Sequence, residues 1–213
     1  MLISHKHKFI FIAVPKTATA TIRYLLESYS DIVSKGTTPP YDWHCTAPDL
    51  KKHFQGQNWD WDQYFKFAFV RNPWDRLVSE FFYRKKRIKI FEGSNEKPQY
   101  IMDSEKMFNE VGTFSGWVKS KYINAAAPVV PPQHKYIFDE TDERLVDFVG
   151  RFENLPTSAE TACNKIGIKY KPAKISNSTD HMSYTEYYDD ETRQIVAERY
   201  AKDIKRFGYE FGK

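Results

Sequence analysis

Two short segments of the sequence concentrate side chains that bind anions. The first is Pro15–Thr21, which combines Lys16 with three threonines and two alanines. Small residues let a phosphate approach the backbone, and the N–H groups at a helix start attract anions. The lysine precedes the expected helix, unlike the lysine in the GxxxxGK[ST] loop of ATP and GTP enzymes. A capped helix with an exposed lysine explains the same residues, so this segment alone leaves both interpretations open.

The second segment is Arg71–Ser79. Arg71 stands at the end of an apolar run, and Ser79 follows eight positions later, within the first helical turns of the next element. A guanidinium fork and a hydroxyl suit a second phosphate. A structural role is the alternative, with Arg76 paired to Asp75 and Ser79 facing the core. Two anion sites together indicate one ligand with two separated phosphates.

Both segments stand between a predicted strand and a predicted helix. Continuous apolar runs at Phe9–Val14 and Phe65–Val70 predict strands buried on both faces. Apolar residues at helical spacing follow each run, and Asn72 with Pro73 forms a helix start signal. The alternation indicates an α/β fold with a central, mostly parallel sheet, in which ligands bind beyond the carboxyl ends of the strands.

Further elements follow from the same signals. Short apolar runs predict strands at residues 136–138 and 145–149. Start, stop and periodicity signals predict helices after Thr46, over about 104–121 with a break near Gly112, over 156–166 and over about 189–207. Gly167 and Gly208 are the expected ends of the last two.

The composition is that of a globular domain. A length of 213 residues, with 41% hydrophobic and 28% charged residues, fits a single domain over 1–213. The net charge of +4 permits an anionic ligand, and Arg84–Arg87 is the one basic run, for which a solvated helix end is the default interpretation. Cys45 and Cys163 form neither a disulfide framework nor a metal-ligand spacing. The apolar run near the N-terminus is too short to span a membrane, so the expected location is cytoplasmic.

Taken together, the two segments resemble the phosphate motifs of the sulfotransferase superfamily, nearest to its carbohydrate-sulfotransferase-like branch. Residues 146–155 and the tail from Tyr188 to Tyr209 are similar to other segments of that family. The resemblance implies a three-layer, P-loop-like fold with helices flanking the sheet. It also implies 3′-phosphoadenosine 5′-phosphosulfate (PAPS) as the donor and no metal. The residues expected to bind PAPS are Pro15, Lys16, Thr17, Ala18, Thr19, Ala20 and Thr21 for the 5′-phosphate and Arg71 and Ser79 for the 3′-phosphate. Many relatives have Gly or Ser where this loop has Ala18 and Ala20.

Sulfuryl transfer by in-line displacement needs charge stabilisation on the leaving oxygen and a base for the acceptor hydroxyl. Lys16 is the candidate for the first role. His44, in a region comparable to that of the catalytic histidine of carbohydrate-type relatives, is the candidate base, and a capping or core histidine is the alternative. His53 is its competitor. Residues considered for the acceptor pocket are His134, His181, Trp43, Tyr83 and Trp117, with core packing favoured for the three aromatic residues.

The expected partner is a small-molecule or carbohydrate acceptor, with neither nucleic acid nor stable membrane insertion. The polar segment Lys174–Ser178 resembles a family loop that closes over the nucleotide. A nucleotide-dependent small-molecule kinase is the alternative enzyme, although no GK[ST] loop and no clear Mg²⁺ carboxylate is present. A binder of nucleotide or polyanion without catalysis is the third hypothesis.

Overall fold

The chain divides into two units, each with its own core. The computed structural model describes residues 1–34, 36, 41–126, 128–172 and 181–213. Met1–Arg71 and Pro132–Ser176 form one unit, which we call the sheet unit. Asn72–Pro131 and Asn177–Lys213 form the other, the helical unit. The prediction of one domain over residues 1–213 stays a prediction.

The sheet unit contains a five-stranded sheet. Its strands are β1 Leu2–Ser4, β2 Phe9–Ile12, β3 Ile32–Val33, β4 Phe65–Val70 and β5 Phe148–Arg151. Their order across the sheet is β3-β1-β2-β4-β5. β2, β4 and β5 run parallel, with Phe9 opposite Phe65 and Phe67 opposite Phe148. β1 pairs antiparallel with both β2 and β3.

The α/β class is confirmed, with helices flanking a central sheet, but the sheet is mixed. Of the five strands described, β1 runs opposite to the other four, so its two pairings are antiparallel and the prediction of a mostly parallel sheet misses this strand. β1 and β2 are joined by residues 5–8 alone, and so short a connection can join only antiparallel strands. The turn lacks the Asn-Gly or Asp-Gly pair that is typical of hairpins, and Lys8 takes the left-handed conformation there, with φ 51°. A three-residue strand before such a turn leaves little sequence pattern to detect.

The helices of the described residues fall into both units. The sheet unit contains α1 Thr19–Leu26, α2 Ala47–Gly56 and α7 Leu155–Lys165. The helical unit contains α3 Pro73–Ile90, α4 Gln99–Val111, α5 Phe114–Lys119, α6 Lys121–Asn124, α8 Asp190–Arg199 and α9 Ala201–Phe207.

Aromatic rings fill the core of the sheet unit. Phe9, Phe11, Phe67 and Phe69 are fully buried and pack with apolar residues of α1 and α7. Each buried phenylalanine stabilises the fold by roughly 1.5–3 kcal/mol relative to an exposed one. The intervening residues of β2 and β4, such as Ile10, Ile12 and Ala68, are buried as well. Burial on both faces explains why these strands read as continuous apolar runs.

Several predicted helix signals are present as expected. The Thr46 side chain accepts a hydrogen bond from the Asp49 N–H at the start of α2. The Asn72 side chain accepts from the Trp74 N–H, and Pro73 is the first residue of α3. Gly167 and Gly208 follow α7 and α9 with φ of 69° and 60°. These left-handed conformations favour glycine and end the helices.

Three other predictions differ from the structure in the second half of the chain. Residues 133–136 form a 3₁₀ turn and Phe138 makes only an isolated bridge to Arg144, so the strand predicted at 136–138 is absent. The strand predicted at 145–149 is shifted to Phe148–Arg151. The single helix predicted over 189–207 is two helices that meet at Tyr200, whose hydroxyl donates to the Val130 carbonyl. That contact is long-range and leaves no local signal.

In the part of the chain that the structure describes, no helix is long and apolar enough to cross a bilayer. Within the same residues, no group of three or more His, Cys, Asp or Glu side chains is placed to hold a metal ion.

Candidate active site

The predicted phosphate loop lies between β2 and α1 and has an unusual backbone. Lys16 and Ala18 adopt left-handed conformations, with φ of 67° and 64°, and Ala18 is the N-cap of α1. The first intrahelical N–H donors are those of Thr21 and Ile22, which both bond the Ala18 carbonyl. The N–H groups of Thr19 and Ala20 therefore precede the hydrogen-bonded part of the helix. This is the region where a helix attracts an anion.

Two of the three threonine hydroxyls stabilise the loop itself. Thr17 and Thr19 both donate to the Val14 carbonyl, at 2.9 and 2.8 Å. Thr17 is fully buried, and Thr21 is nearly so. Because each hydroxyl has one proton, the protons of Thr17 and Thr19 point into the loop. The loop therefore offers an anion backbone N–H groups rather than these two hydroxyls.

His44 lies beside the base of the same loop. Its Nδ1 is 2.7 Å from the Ala13 carbonyl oxygen. A carbonyl only accepts, so Nδ1 carries the proton and Nε2 of the neutral ring carries the lone pair. The Asp42 carboxylate accepts from the His44 backbone N–H, and the Met1 nitrogen donates to the Trp43 carbonyl. The histidine is thus held in one tautomer by its ring and in one place by its backbone.

Cys45, the next residue, has no role as a nucleophile in this structure. Burial, together with the carboxylates of Asp42 and Asp49, raises the pKa of its thiol to about 12. The thiol is therefore protonated at neutral pH. Among the neighbours of the loop, His44 has the chemistry of a base.

Arg71 also contacts the loop. It follows β4, is buried, and its Nη1 lies 3.4 Å from the Lys16 carbonyl oxygen. Its guanidinium carbon stacks 4.0 Å from the centroid of the Phe152 ring. Its backbone N–H and carbonyl both bond the side-chain amide of Gln133, at 2.9 and 2.8 Å. Lys16, His44 and Arg71 of the predicted site therefore belong to one cluster in the sheet unit.

Gln133 and Phe152 were not among the predicted site residues. The sequence offers a weak signal for each. Gln133 directly follows two prolines, where a polar side chain can turn back toward a strand end. Phe152 lies in the segment 146–155 that resembles the family, although the sequence alone gives it no partner. Both contacts span long stretches of chain, so only the fold reveals them.

The remaining predicted residues of the second segment lie in the helical unit, on α3. Ser79 is 6% exposed. Arg76 is fully buried and its Nη1 donates to the Pro131 carbonyl at 2.8 Å, as a structural arginine would. In the basic run, Arg84 pairs with Glu80 and Arg87 donates to the Tyr100 hydroxyl. Much of the positive charge of this run is therefore engaged within the unit.

The residues considered for the acceptor pocket differ in how much of each side chain is exposed to solvent. Trp117 is fully buried in the core of the helical unit, whereas Trp43 is 43% exposed. Its ring lies against the Arg23 guanidinium, at 4.4 Å. His53 contacts the Tyr41 hydroxyl through Nε2, and the His181 ring stacks on Phe82. The predicted nucleotide loop at Lys174–Ser178 lies outside the described residues.

Comparison with known proteins identifies the family. The model of the sulfotransferase family matches residues 1–210. The chain belongs to the sulfotransferase family. Carbohydrate sulfotransferase 14 of Danio rerio is 21% identical over 253 residues, covering 98% of this chain and 62% of that protein. An uncharacterized protein of Archaeoglobus fulgidus is 30% identical over 110 residues, covering 50% of this chain and 71% of that protein.

This sulfotransferase-family chain thus spans 62% of the length of the carbohydrate sulfotransferase that it matches. No solved structure gives a match. The resemblance identified from the two phosphate segments is confirmed at the level of the family.

Proposed function

We propose that the protein transfers a sulfuryl group from PAPS to an acceptor hydroxyl. One observation carries this proposal. A candidate base and a buried arginine both contact backbone carbonyls of the strand–loop segment that precedes α1. His44 donates to the carbonyl of Ala13 and Arg71 to that of Lys16. A base, an arginine and an anion-binding loop in one cluster suit group transfer from a phosphate-bearing donor.

The loop fits a phosphate. Left-handed conformations at Lys16 and Ala18 turn the backbone ahead of α1, where N–H groups and the helix dipole favour negative charge. Lys16 adds a full positive charge to the same loop. We assign the 5′-phosphosulfate end of PAPS to residues Pro15–Thr21, with backbone N–H groups as the principal donors.

The 3′-phosphate is assigned to Arg71. A buried guanidinium that stacks on Phe152 and touches the loop is suited to a phosphate that belongs to the same nucleotide. The resemblance of the segment Arg71–Ser79 to the family motif adds Ser79 to this assignment. PAPS would supply a sulfuryl group already joined to a good leaving group, the 5′-phosphate.

Two residues take part in the chemistry. The Lys16 ammonium balances the negative charge that develops on the leaving oxygen. His44 accepts the proton of the acceptor hydroxyl at Nε2, because Nδ1 keeps its proton on the Ala13 carbonyl. A ring whose Nδ1–H donates to a backbone carbonyl keeps Nε2 as its basic nitrogen. His53, whose Nε2 contacts Tyr41, differs from His44 in this respect.

The acceptor class follows from the relative. Carbohydrate sulfotransferase 14 matches nearly the whole of this chain, so we propose a carbohydrate hydroxyl as the first acceptor to test, with small metabolites next. The half-exposed Trp43, next to His44 in sequence, is suited to packing against a sugar ring. The cytoplasmic location remains part of the same proposal.

Isothermal titration with 3′-phosphoadenosine 5′-phosphate (PAP) tests the donor site. We expect micromolar binding to the wild type, no comparable binding of ATP, and a loss of at least about tenfold in PAP affinity for Arg71→Ala. Arg144→Ala is the matched control, because Arg144 is an exposed arginine of the same unit outside the site. Equal binding of ATP and PAP would instead favour the kinase, and absence of PAP binding would remove the donor assignment.

A further inference from the structure

The carboxyl end of β4 is held by a side chain that neither phosphate segment contains. Gln133 begins the 3₁₀ turn Gln133–Tyr136, and its side chain is fully buried. Its Oε1 accepts from the N–H of Arg71 and its Nε2 donates to the carbonyl of Arg71. One side-chain amide thus bonds both backbone polar groups of one residue. Burial of an amide is costly without such partners, so this arrangement is strongly specified.

This contact continues the sheet by one residue. The pairing of β4 with β2 ends at Ala68, and its pairing with β5 ends at Val70. Arg71 lies just beyond both. The Gln133 amide carries the donor and acceptor of a peptide group and takes the place of a neighbouring strand. It therefore fixes the backbone direction of Arg71 at the point where the sheet ends.

The side chain of Arg71 is restrained independently of its backbone. The Phe152 ring lies against the flat face of the guanidinium, at 4.0 Å. The Lys16 carbonyl accepts at its edge. The ring contacts the face of the guanidinium, whereas its N–H donors lie in the plane of the fork, which is the geometry that suits recognition of a phosphate. A residue whose backbone and side chain are both fixed loses little conformational entropy on binding.

We infer that Gln133 is a positioning residue for recognition of the 3′-phosphate, acting through the Arg71 backbone, with Phe152 acting on the Arg71 side chain. The inference rests on the proposed function, in which Arg71 binds the 3′-phosphate. Gln133 itself touches the arginine and not the ligand. Preference for nucleotides with a 3′-phosphate is therefore set in part by a residue 62 positions away from Arg71 in sequence.

The test compares two nucleotides that differ only in the 3′-phosphate, PAP and 5′-AMP. Gln133→Met keeps the length of the side chain and removes both hydrogen bonds. We expect its affinity for PAP to fall about tenfold and its affinity for 5′-AMP to change less than about twofold in isothermal titration. Gln63→Met is the matched control, because Gln63 is exposed and its side-chain amide donates to the nearby Asp60 carboxylate. It should leave both affinities unchanged.

The outcomes separate the inference from the proposed function. A wild type that binds PAP and 5′-AMP equally overturns the proposed function and this inference with it. A preference for PAP that survives Gln133→Met overturns the inference alone. So does an equal loss of affinity for both nucleotides, which indicates general damage to the fold.

A second variant covers the case in which Gln133→Met does not fold. Phe152→Leu keeps an apolar side chain under Arg71 but removes the ring. We expect the same selective loss of PAP affinity from this variant. If the ratio of PAP to 5′-AMP affinity is unchanged in Phe152→Leu, the inference that Gln133 and Phe152 position Arg71 is overturned.

Discussion

The two strand-to-helix turns of this protein differ in their backbone conformation and in how the following helix is capped. The turn from β2 to α1 places Lys16 and Ala18 in left-handed conformations, and α1 begins without a side-chain cap. The turn from β4 to α3 places Asn72 at φ −47°, caps the helix with the Asn72 side chain and continues with Pro73. The first turn departs from the local preferences of its residues, and the second follows them.

The two turns differ in what they contribute to the stability of the fold. A left-handed conformation costs a non-glycine residue roughly 1–2 kcal/mol, whereas an asparagine cap stabilises a helix by about 1 kcal/mol. Such strain tends to collect where a ligand binds. We propose that the first turn gives up this stability in order to bind an anion. The second turn secures the start of α3, next to Arg71 in the chain.

The largest expected effect is on turnover beside the first turn. His44→Asn removes the Nε2 lone pair, so we expect sulfuryl transfer to fall by about 10²-fold or more, because a general base typically contributes that much. PAP affinity should change little, since His44 is assigned to the acceptor proton. Release of PAP from PAPS, measured with a panel of carbohydrate acceptors, gives the rate.

His53→Asn is the control for this experiment. His53 lies on α2 and bonds Tyr41, so its loss should leave turnover within about twofold of wild type. Greater loss in His53→Asn than in His44→Asn would exchange the two assignments. A protein that binds PAP but shows no turnover in the wild type with any acceptor would favour the non-catalytic binder.

The next effect is on stability at the second turn. Asn72 is buried, caps α3 through Oδ1, and donates from Nδ2 to the Glu210 carbonyl at 2.9 Å. Asn72→Ala removes the cap and takes this partner away from the buried N–H of Trp74 and the part-buried carbonyl of Glu210. We expect a loss of about 2–3 kcal/mol in the free energy of unfolding, measured by urea denaturation. Asn109→Ala, at an exposed position of α4, should change it by less than about 0.5 kcal/mol.

A loss below about 1 kcal/mol in Asn72→Ala would contradict the comparison between the turns. In that case the second turn would contribute no more to stability than an ordinary surface position.

The smallest effect distinguishes two alanines of the first turn. Ala18 has φ 64°, a conformation that is strained for alanine and relaxed for glycine. In Ala18→Gly the relief of this strain offsets the larger entropy that glycine loses on folding. We therefore expect the free energy of unfolding to change by less than about 0.5 kcal/mol or to rise slightly. Ala20→Gly lies within α1 and should cost roughly 0.5–1 kcal/mol. Urea denaturation of both variants measures the difference. Equal destabilisation by the two substitutions would show that Ala18 is not strained.

The predictions that succeeded rest on local signals. β4, the caps at Thr46 and Asn72, and the glycines at 167 and 208 were all readable because each depends on a few neighbouring residues. The sequence could not supply β1 or β3, which are short and form through pairing with other strands. Nor could it show that Tyr200 separates α8 from α9, since its partner, Val130, is distant in the chain.

The site shows the same division. The types and spacing of Lys16 and Arg71 were enough to expect an anion site, and the resemblance to the family was enough to expect a base at His44. Their contacts could not be predicted, because the partners of His44 and Arg71 come from other segments. The threonines expected to bind the 5′-phosphate are a particular case. The structure turns the protons of Thr17 and Thr19 onto Val14 instead.

By itself, the sequence determined the α/β class, the two strand-to-helix segments and the family, because apolar periodicity and helix signals act over a few residues. Only the tertiary structure decided that the sheet is mixed, that His44 carries its proton on Nδ1, and that Gln133 and Phe152 hold Arg71. Each of these depends on pairing between distant segments, and the hydrogen bonds and ring contacts that fix them exist only once the sheet has formed.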